Sequence, residues 1–357
     1  MSSRLRRWPA AGLTATIAAL AAAALVLTGC AAGASNTDGQ SKADTSAQAD
    51  ELVVYNAQHE ELTKEWADAF TAETGIKVVL RNGDDSELGN QLVQEGKASK
   101  ADVFLTENSP AMSLVEQAGL FASVDRTTLE MVPEQYRPSS GLWTGIAARS
   151  TVLVYNPSLI SQDELPTSLL DLAKPEWKGR WGAAPAKADF QAIVSAVVAT
   201  QGEKAASAWL EGMAANSVEY RNNIVTMKAV NAGEVPVGVI YHYYWFRDQN
   251  AAGEDSGNTR LRFLGNEDPG AFVSVSGGGV LKNAPHAKEA QQFLAFIAGA
   301  EGQKILSEGY SFEYPVASGV AAREELPPLD QLGAPVIDPS TLNGPQVIEL
   351  MTDAGLL

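Results

Sequence analysis

Short apolar runs, each followed by a segment of helical spacing, recur along this chain, and that alternation limits its fold more than any other feature. Leu52-Val53-Val54-Tyr55 is the first run. Leu62, Trp66, Ala69 and Phe70 then share one helical face, and Gly75 stops the helix. Ile76-Lys77-Val78-Val79-Leu80 follows as a second strand. A strand, a helix and a strand in succession imply a parallel pair with a right-handed crossover. The pattern continues with helices over 86–95 and 110–118 around a strand at Asp102-Val103-Phe104-Leu105. Residues 146–149 and 151–155 read as a pair of crossover strands. Helices are expected over 190–200, 204–215, 225–231, 288–298, 302–307 and 347–352. Gly270-Ala271-Phe272-Val273-Ser274-Val275-Ser276 reads as a strand running into a tight passage at Gly277-Gly278-Gly279. Alternation in both halves predicts the α/β class. The 357 residues suffice for two domains.

The N-terminus reads differently. Arg4, Arg6 and Arg7 precede an Ala- and Leu-rich stretch, which ends in Leu27-Thr28-Gly29-Cys30. Charged, apolar and small-residue regions in that order make a secretory signal over 1–29. The ending resembles the lipobox of bacterial lipoproteins, in which the cysteine becomes the lipidated N-terminus. A plain membrane anchor is the alternative, and it has no need of that ending. Either way the globular part is expected outside the cytoplasmic membrane. Residues 30–50 are small and polar without apolar periodicity, as in a flexible tether. Cys30 is the only cysteine, so no intrachain disulfide is available. The formal charge of −17 repels phosphate backbones and argues against nucleic-acid partners.

The strand ends carry the chemistry. In open α/β sheets, ligands bind beyond the carboxyl ends of the strands. His59 follows the first strand and Glu107 the third. His242, Tyr243 and Tyr244 follow the apolar run Val235-Pro236-Val237-Gly238-Val239-Ile240. Taken singly, each has an ordinary explanation: a capping histidine, a helix-start carboxylate, half-buried tyrosines. Asp84 and Asp85 read as a turn. Neighbouring side chains on a strand point to opposite faces. Tyr243 and Tyr244 therefore serve one pocket only if the strand ends near Ile240 or Tyr241. An imidazole, a carboxylate and two phenols suit a hard, highly charged cation. A phenol has an ordinary pKa of about 10 and ligates as phenolate only beside such a charge. Magnesium and calcium rarely use Tyr or His, and zinc is expected to prefer Cys and His.

In Val53-Val54-Tyr55-Asn56-Ala57-Gln58-His59, Ala101-Asp102-Val103-Phe104-Leu105-Thr106-Glu107 and Tyr243-Tyr244-Trp245, the chain resembles the periplasmic ferric-iron-binding proteins of bacterial ABC importers. Pro175-Glu176-Trp177-Lys178-Gly179-Arg180, Arg149-Ser150, Asp268-Pro269-Gly270-Ala271 and Glu313-Tyr314-Pro315 extend the likeness across about residues 51–357. The resemblance implies a two-lobed periplasmic-binding-protein fold of type II, each lobe a mostly parallel sheet flanked by helices. Residues 51–149 and about 270–325 would form one lobe. Residues 150–269 would form the other, with the tail at 326–357 as a candidate addition to it.

His59, Glu107, Tyr243 and Tyr244 would hold Fe(III), and a synergistic anion such as phosphate or carbonate would complete the coordination. The family's Ser-Gly-Ala type anion turn is replaced here by Ala186-Lys187-Ala188-Asp189, so the anion's contacts are open, with Arg149, Lys187 and Asn223 as candidates. His242 departs from the family pattern and is a spare ligand, a group orienting one, or packing. The partners implied are a permease with its ATPase. The protein itself would be a monomer, held at the membrane through lipid alone. The alternatives are a binder of another solute, such as thiamine, a polyamine or another metal, and a metalloenzyme with Tyr and His ligands.

Overall fold

The computed structural model describes residues 51–357. The signal at 1–29, Cys30 and the tether to residue 50 lie outside the described residues. Among the described residues no helix is long and apolar enough to cross a membrane.

The chain begins with β1 (Leu52–Asn56), α1 (Glu60–Thr74), β2 (Val78–Asn82), α2 (Asp85–Glu95), β3 (Val103–Leu105) and α3 (Ser109–Gln117). A single turn, α4 (Arg126–Leu129), leads to the long strand β4 (Thr144–Tyr155). Then come β5 (Trp181–Ala183), α5 (Ala188–Gln201), α6 (Glu203–Asn216), β6 (Ser217–Glu219), α7 (Asn223–Ala232), β7 (Val237–Tyr241) and α8 (His242–Ala251). The chain closes with β8 (Arg260–Arg262), β9 (Val273–Val280), α9 (Ala287–Ala298), α10 (Ala300–Glu308) and α11 (Gly344–Asp353). Gly75 caps α1 in the left-handed conformation, at φ 76°, as its position after the apolar face predicts.

The strand order is β2-β1-β3-β9-β4-β7-β5-β6, with β8 against β4. The sheet is mixed. Its parallel pairs, β1 with β2 and β3 and β5 with β6 and β7, come from the alternating strands and helices. Every antiparallel pair involves β4 or β9. Strand alternation sorts the core. Val103 and Leu105 face Trp66, Phe70 and Phe293, whereas Phe104 faces Leu88, Leu92 and Met112 on the other side. In the second half, Val152, Val154 and Ile240 pack with Met227 and Val230. Leu153, Val239 and Tyr241 instead meet the core containing Phe190 and Trp209.

Two expectations are corrected here. Residues 146–149 and 151–155 are one continuous strand, not a pair. The first part of β4, up to Ser150, pairs with β9, and Thr151 onward pairs with β7. The change of partner falls at Arg149-Ser150-Thr151, polar residues that read as a break in sequence but are buried here like the rest of β4. Nor is Gly277-Gly278-Gly279 a passage after a strand: it lies within β9, between β3 and β4. A Cβ on Gly277 would meet Cγ of Met112 at 2.3 Å, so the glycines let α3 pack directly on the strand. β4 and β9 thus join the two halves of the sheet. The tail also touches both halves, since α11 packs on α5 and α6 and on α3.

Candidate metal centre

The loop after β1 is locked by Asn56, which is fully buried. Its side-chain oxygen accepts from the Gln58 N–H at 3.1 Å and from Thr63 Oγ1 at 3.0 Å, and its amide donates to the Gln58 carbonyl at 2.9 Å. This closes an Asx-type turn and places His59 at the N-cap of α1. After β3, the backbone N–H groups of Glu107 and Asn108 donate to the two oxygens of Asp85, at 2.9 and 3.0 Å. Asp85 is therefore no surface turn. It is buried at the start of α2 and fixes the Glu107 backbone. Only the fold reveals this, because Asp85 and Glu107 come from different elements.

β7 ends at Tyr241 and α8 begins at His242, so the strand stops where two phenols serving one pocket require. The sequence signal for α8 is weak, because its first residues are aromatic rather than periodic. Tyr243 and Tyr244 lie in the first helical turn with their rings 4.2 Å apart. The positive end of the helix favours negative charge there.

Across the junction the His59 ring meets Tyr243 edge-on at 5.2 Å. His59 Nδ1 lies 2.9 Å from Glu107 Oε1. His59 Nε2 and the Tyr243 hydroxyl are buried without a hydrogen-bond partner. Leaving such groups unpaired costs about 1–3 kcal/mol each, which a metal or other ligand would recover. Among the described residues no three His, Cys, Asp or Glu side chains are grouped to hold a metal ion, so a metal here needs the phenols.

Burial works against a charged His59, but the carboxylates of Glu107 and Glu313 outweigh it and hold its pKa above the ordinary value. Burial would raise Glu107; His59 and Arg149 reverse this and lower it. Asp85 is pushed up to about 8 by burial and by the neighbouring Glu107 charge. Tyr243 and Tyr244 are held well above the usual phenol range by burial and by Asp189. Without a cation they are neutral phenols.

Asp189 is the residue the sequence reading missed. Its carboxylate, buried in the first turn of α5, accepts from Tyr244 at 2.9 Å, from Asn223 at 2.7 Å and from Asn108 at 3.0 Å. Burial, then the Glu107 charge, raises its pKa. Its place in Ala186-Lys187-Ala188-Asp189 was the available signal. Among the other candidates, Asn223 touches Asp189, and Arg149 is fully buried, ion-paired with Glu313, with its guanidinium 5.8 Å from the Tyr243 ring. Lys187 is exposed at the N-cap of α5, outside this cluster. His242 is buried. Its Nδ1 accepts from the Ser150 N–H at 3.1 Å, where β4 changes partners, and its ring stacks on Tyr314 at 4.7 Å. It braces the tyrosine helix against the junction, and burial lowers its pKa to about 3.

A model of the bacterial extracellular solute-binding protein family matches residues 98–335. The Fe(3+)-binding periplasmic protein of Serratia marcescens is 60% identical over 313 residues, covering 87% of this chain and 93% of that protein. The major ferric iron-binding protein of Neisseria meningitidis serogroup B is 37% identical over 317 residues, covering 88% and 95%. Among solved structures, iron-bound HitA from Pseudomonas aeruginosa superimposes with a TM-score of 0.81 at 42% identity, covering 86% of this chain and 99% of that one. The Trichodesmium protein IdiA (FutA), in complex with iron and citrate, gives 0.75 at 29% identity, covering 86% and 100%. These likenesses establish the two-lobed periplasmic-binding-protein fold.

Proposed function

We propose, from the premise that this chain belongs to the bacterial extracellular solute-binding protein family, that it captures ferric iron between its lobes and hands it to an ABC importer. The carrying observation is the convergence of His59, Glu107, Tyr243 and Tyr244, with the Tyr243 hydroxyl and His59 Nε2 unpartnered. The relatives are named as binding proteins, and the protein catalyses nothing; the importer's ATPase supplies the energy. The lobes divide at Ser150 in β4 and again near residue 270. His59 and Glu107 belong to the first lobe, Tyr243 and Tyr244 to the second. Iron held by both stabilises the closed state, which is the hinge device such folds use. The protein acts as a monomer, tethered through a lipid on Cys30.

Four ligands leave two octahedral positions. Asp189, already bonded to Tyr244, offers the chain's own carboxylate for one of them. An added phosphate or carbonate then has at most one position and is not obligatory.

The test is a visible spectrum after loading with ferric citrate. Phenolate-bound Fe(III) gives a charge-transfer band, weakened or lost in Tyr243→Phe and Tyr244→Phe. A colourless protein with no iron by metal analysis would refute the reading.

A further inference from the structure

Three contacts tie α8 to the segment at 310–314, and they run outward from the junction of the lobes. The His242 ring stacks on Tyr314 at 4.7 Å. Tyr314 is itself anchored, exchanging two backbone hydrogen bonds with Ala148 of β4. One turn along the helix, Phe246 stacks on Phe312 at 6.1 Å. The Arg323 guanidinium also lies over Phe312, 4.3 Å from the ring centre. Phe312 takes a φ of 57°, which a bulky side chain adopts only where its surroundings impose it. Beyond it, the Arg247 guanidinium lies 4.8 Å from the centre of the Tyr310 ring. The two ends of this series differ. Phe312 and Tyr314 belong to the core that holds Val239 and Tyr241, whereas Tyr310 packs on the core of Leu62, Phe70 and Phe293. Arg247 on Tyr310 thus reaches from one lobe to the other. Against burial, His59, Arg149 and then Arg247 hold the Glu107 pKa down, which places the Arg247 charge at the same cleft. Arg247 is half-buried and makes no hydrogen bond or ion pair among the described residues.

We infer that Arg247 is the positioning residue that keeps the tyrosine helix closed over iron, through its guanidinium on Tyr310, with His242 on Tyr314 as the pivot. The inference rests on the ferric-iron reading above and deepens it. Arg247 follows Tyr243 by four residues and Tyr244 by three, so it shares their side of α8. It stands about 7.5 Å farther along the helix than His242. A rotation about the junction moves each group in proportion to its distance from the axis. The stack at Tyr314 therefore survives opening, whereas the contact at Tyr310 parts. A cation over an aromatic face is held more firmly as it loses water, and the closed cleft supplies that setting. Because the contact exists only with the lobes together, its loss speeds release of the ion more than it slows capture.

The test is the rate at which the iron-loaded full protein yields iron to excess EDTA, followed by decay of the charge-transfer band. Arg247→Ala should release iron about 3- to 30-fold faster, with the band at its original position. Arg247→Lys keeps a cation over the ring and should fall between the two. Tyr310→Leu removes the ring but leaves the Arg247 charge near Glu107, and should release iron as fast as Arg247→Ala. The double variant should be no faster than either single one, because both remove the same contact. Should Tyr310→Leu fail to fold, Tyr310→Met, whose side chain adapts to irregular space, takes its place. Release from the Tyr310 variant at the unmutated rate, or additive effects in the double variant, overturns the inference alone: Arg247 then acts on Glu107 by charge, without the ring. Failure of the unmutated protein to take up iron overturns the ferric-iron reading, and this inference with it.

Discussion

Asn108 and Asp189 meet across the junction of the two sheet halves, the amide of one donating to the carboxylate of the other at 3.0 Å. Asn108 follows β3, and Asp189 opens α5. The same Asn108 amide also donates to Asp85, at 3.2 Å, and its oxygen accepts from Ser274 at 2.9 Å. One side chain thus connects the support of Glu107 to the support of Tyr244. Replacing it by alanine removes a bond to a carboxylate that exists only when the halves are together. Such bonds contribute about 1.5–3 kcal/mol. Asn108→Ala should therefore weaken iron binding by about 10- to 100-fold, measured by competition against citrate, while the charge-transfer band keeps its position.

Asp189 makes a sharper prediction. If its carboxylate stands in for an added anion, the unmutated protein retains iron in buffer free of phosphate and carbonate. Asp189→Asn should retain it only when phosphate or carbonate is restored. Equal anion dependence in the two proteins would count against the role assigned to Asp189.

Iron binding must release protons. Tyr243 and Tyr244 are neutral in the iron-free protein, since burial and Asp189 hold their pKa values well above the ordinary range. If both ligate iron as proposed, each gives up one proton, and the binding constant should fall by about two decades per unit drop in pH around neutrality. His59 adds a third proton below its own raised pKa. The slope therefore steepens on acidification, and acid favours release. A pH series of competition titrations reads both slopes.

His242 predicts a separate effect on stability. Its folded pKa is lowered to about 3, against 6.5 when unfolded. Between those values the unfolded chain binds a proton that the folded chain refuses. Stability from this group is thus intact above 6.5 and lost as pH falls toward 3, by about 1.4 kcal/mol per unit. His242→Gln retains an acceptor for the Ser150 N–H and should flatten that part of the stability curve in denaturant titrations of the iron-free protein.

The glycine run in β9 is testable by bulk. Gly277→Ala places a methyl against Met112 and Trp143. Overpacking of this kind costs about 1–3 kcal/mol. Thermal unfolding should shift down by several degrees.

Much of this was legible in the residues alone. The strands from β1 to β3, the helices between them and the stop at Gly75 follow from periodicity, because a helix or strand buries one face and its spacing records which. His59, Glu107 and the tyrosine pair were legible as candidates because strand ends gather ligands in this class of fold. The partners of those residues were not. Asp85, Asp189 and Glu313 are acids among 43, and nothing local marks them as buried. The sequence divides at Ser150, but that both segments are one buried strand changing partners there was not legible, because the partners β9 and β7 lie far away in the chain.

Local sequence therefore determined which segments become strands and helices and which side chains end them, since those depend on neighbours within a few residues. Tertiary structure alone decided which acid faces which base, which phenol is left without a partner, and which histidine became a brace. Those are matters of burial and of distances between groups as far apart in the chain as His59 and Glu313, and they exist only once the sheet halves have come together.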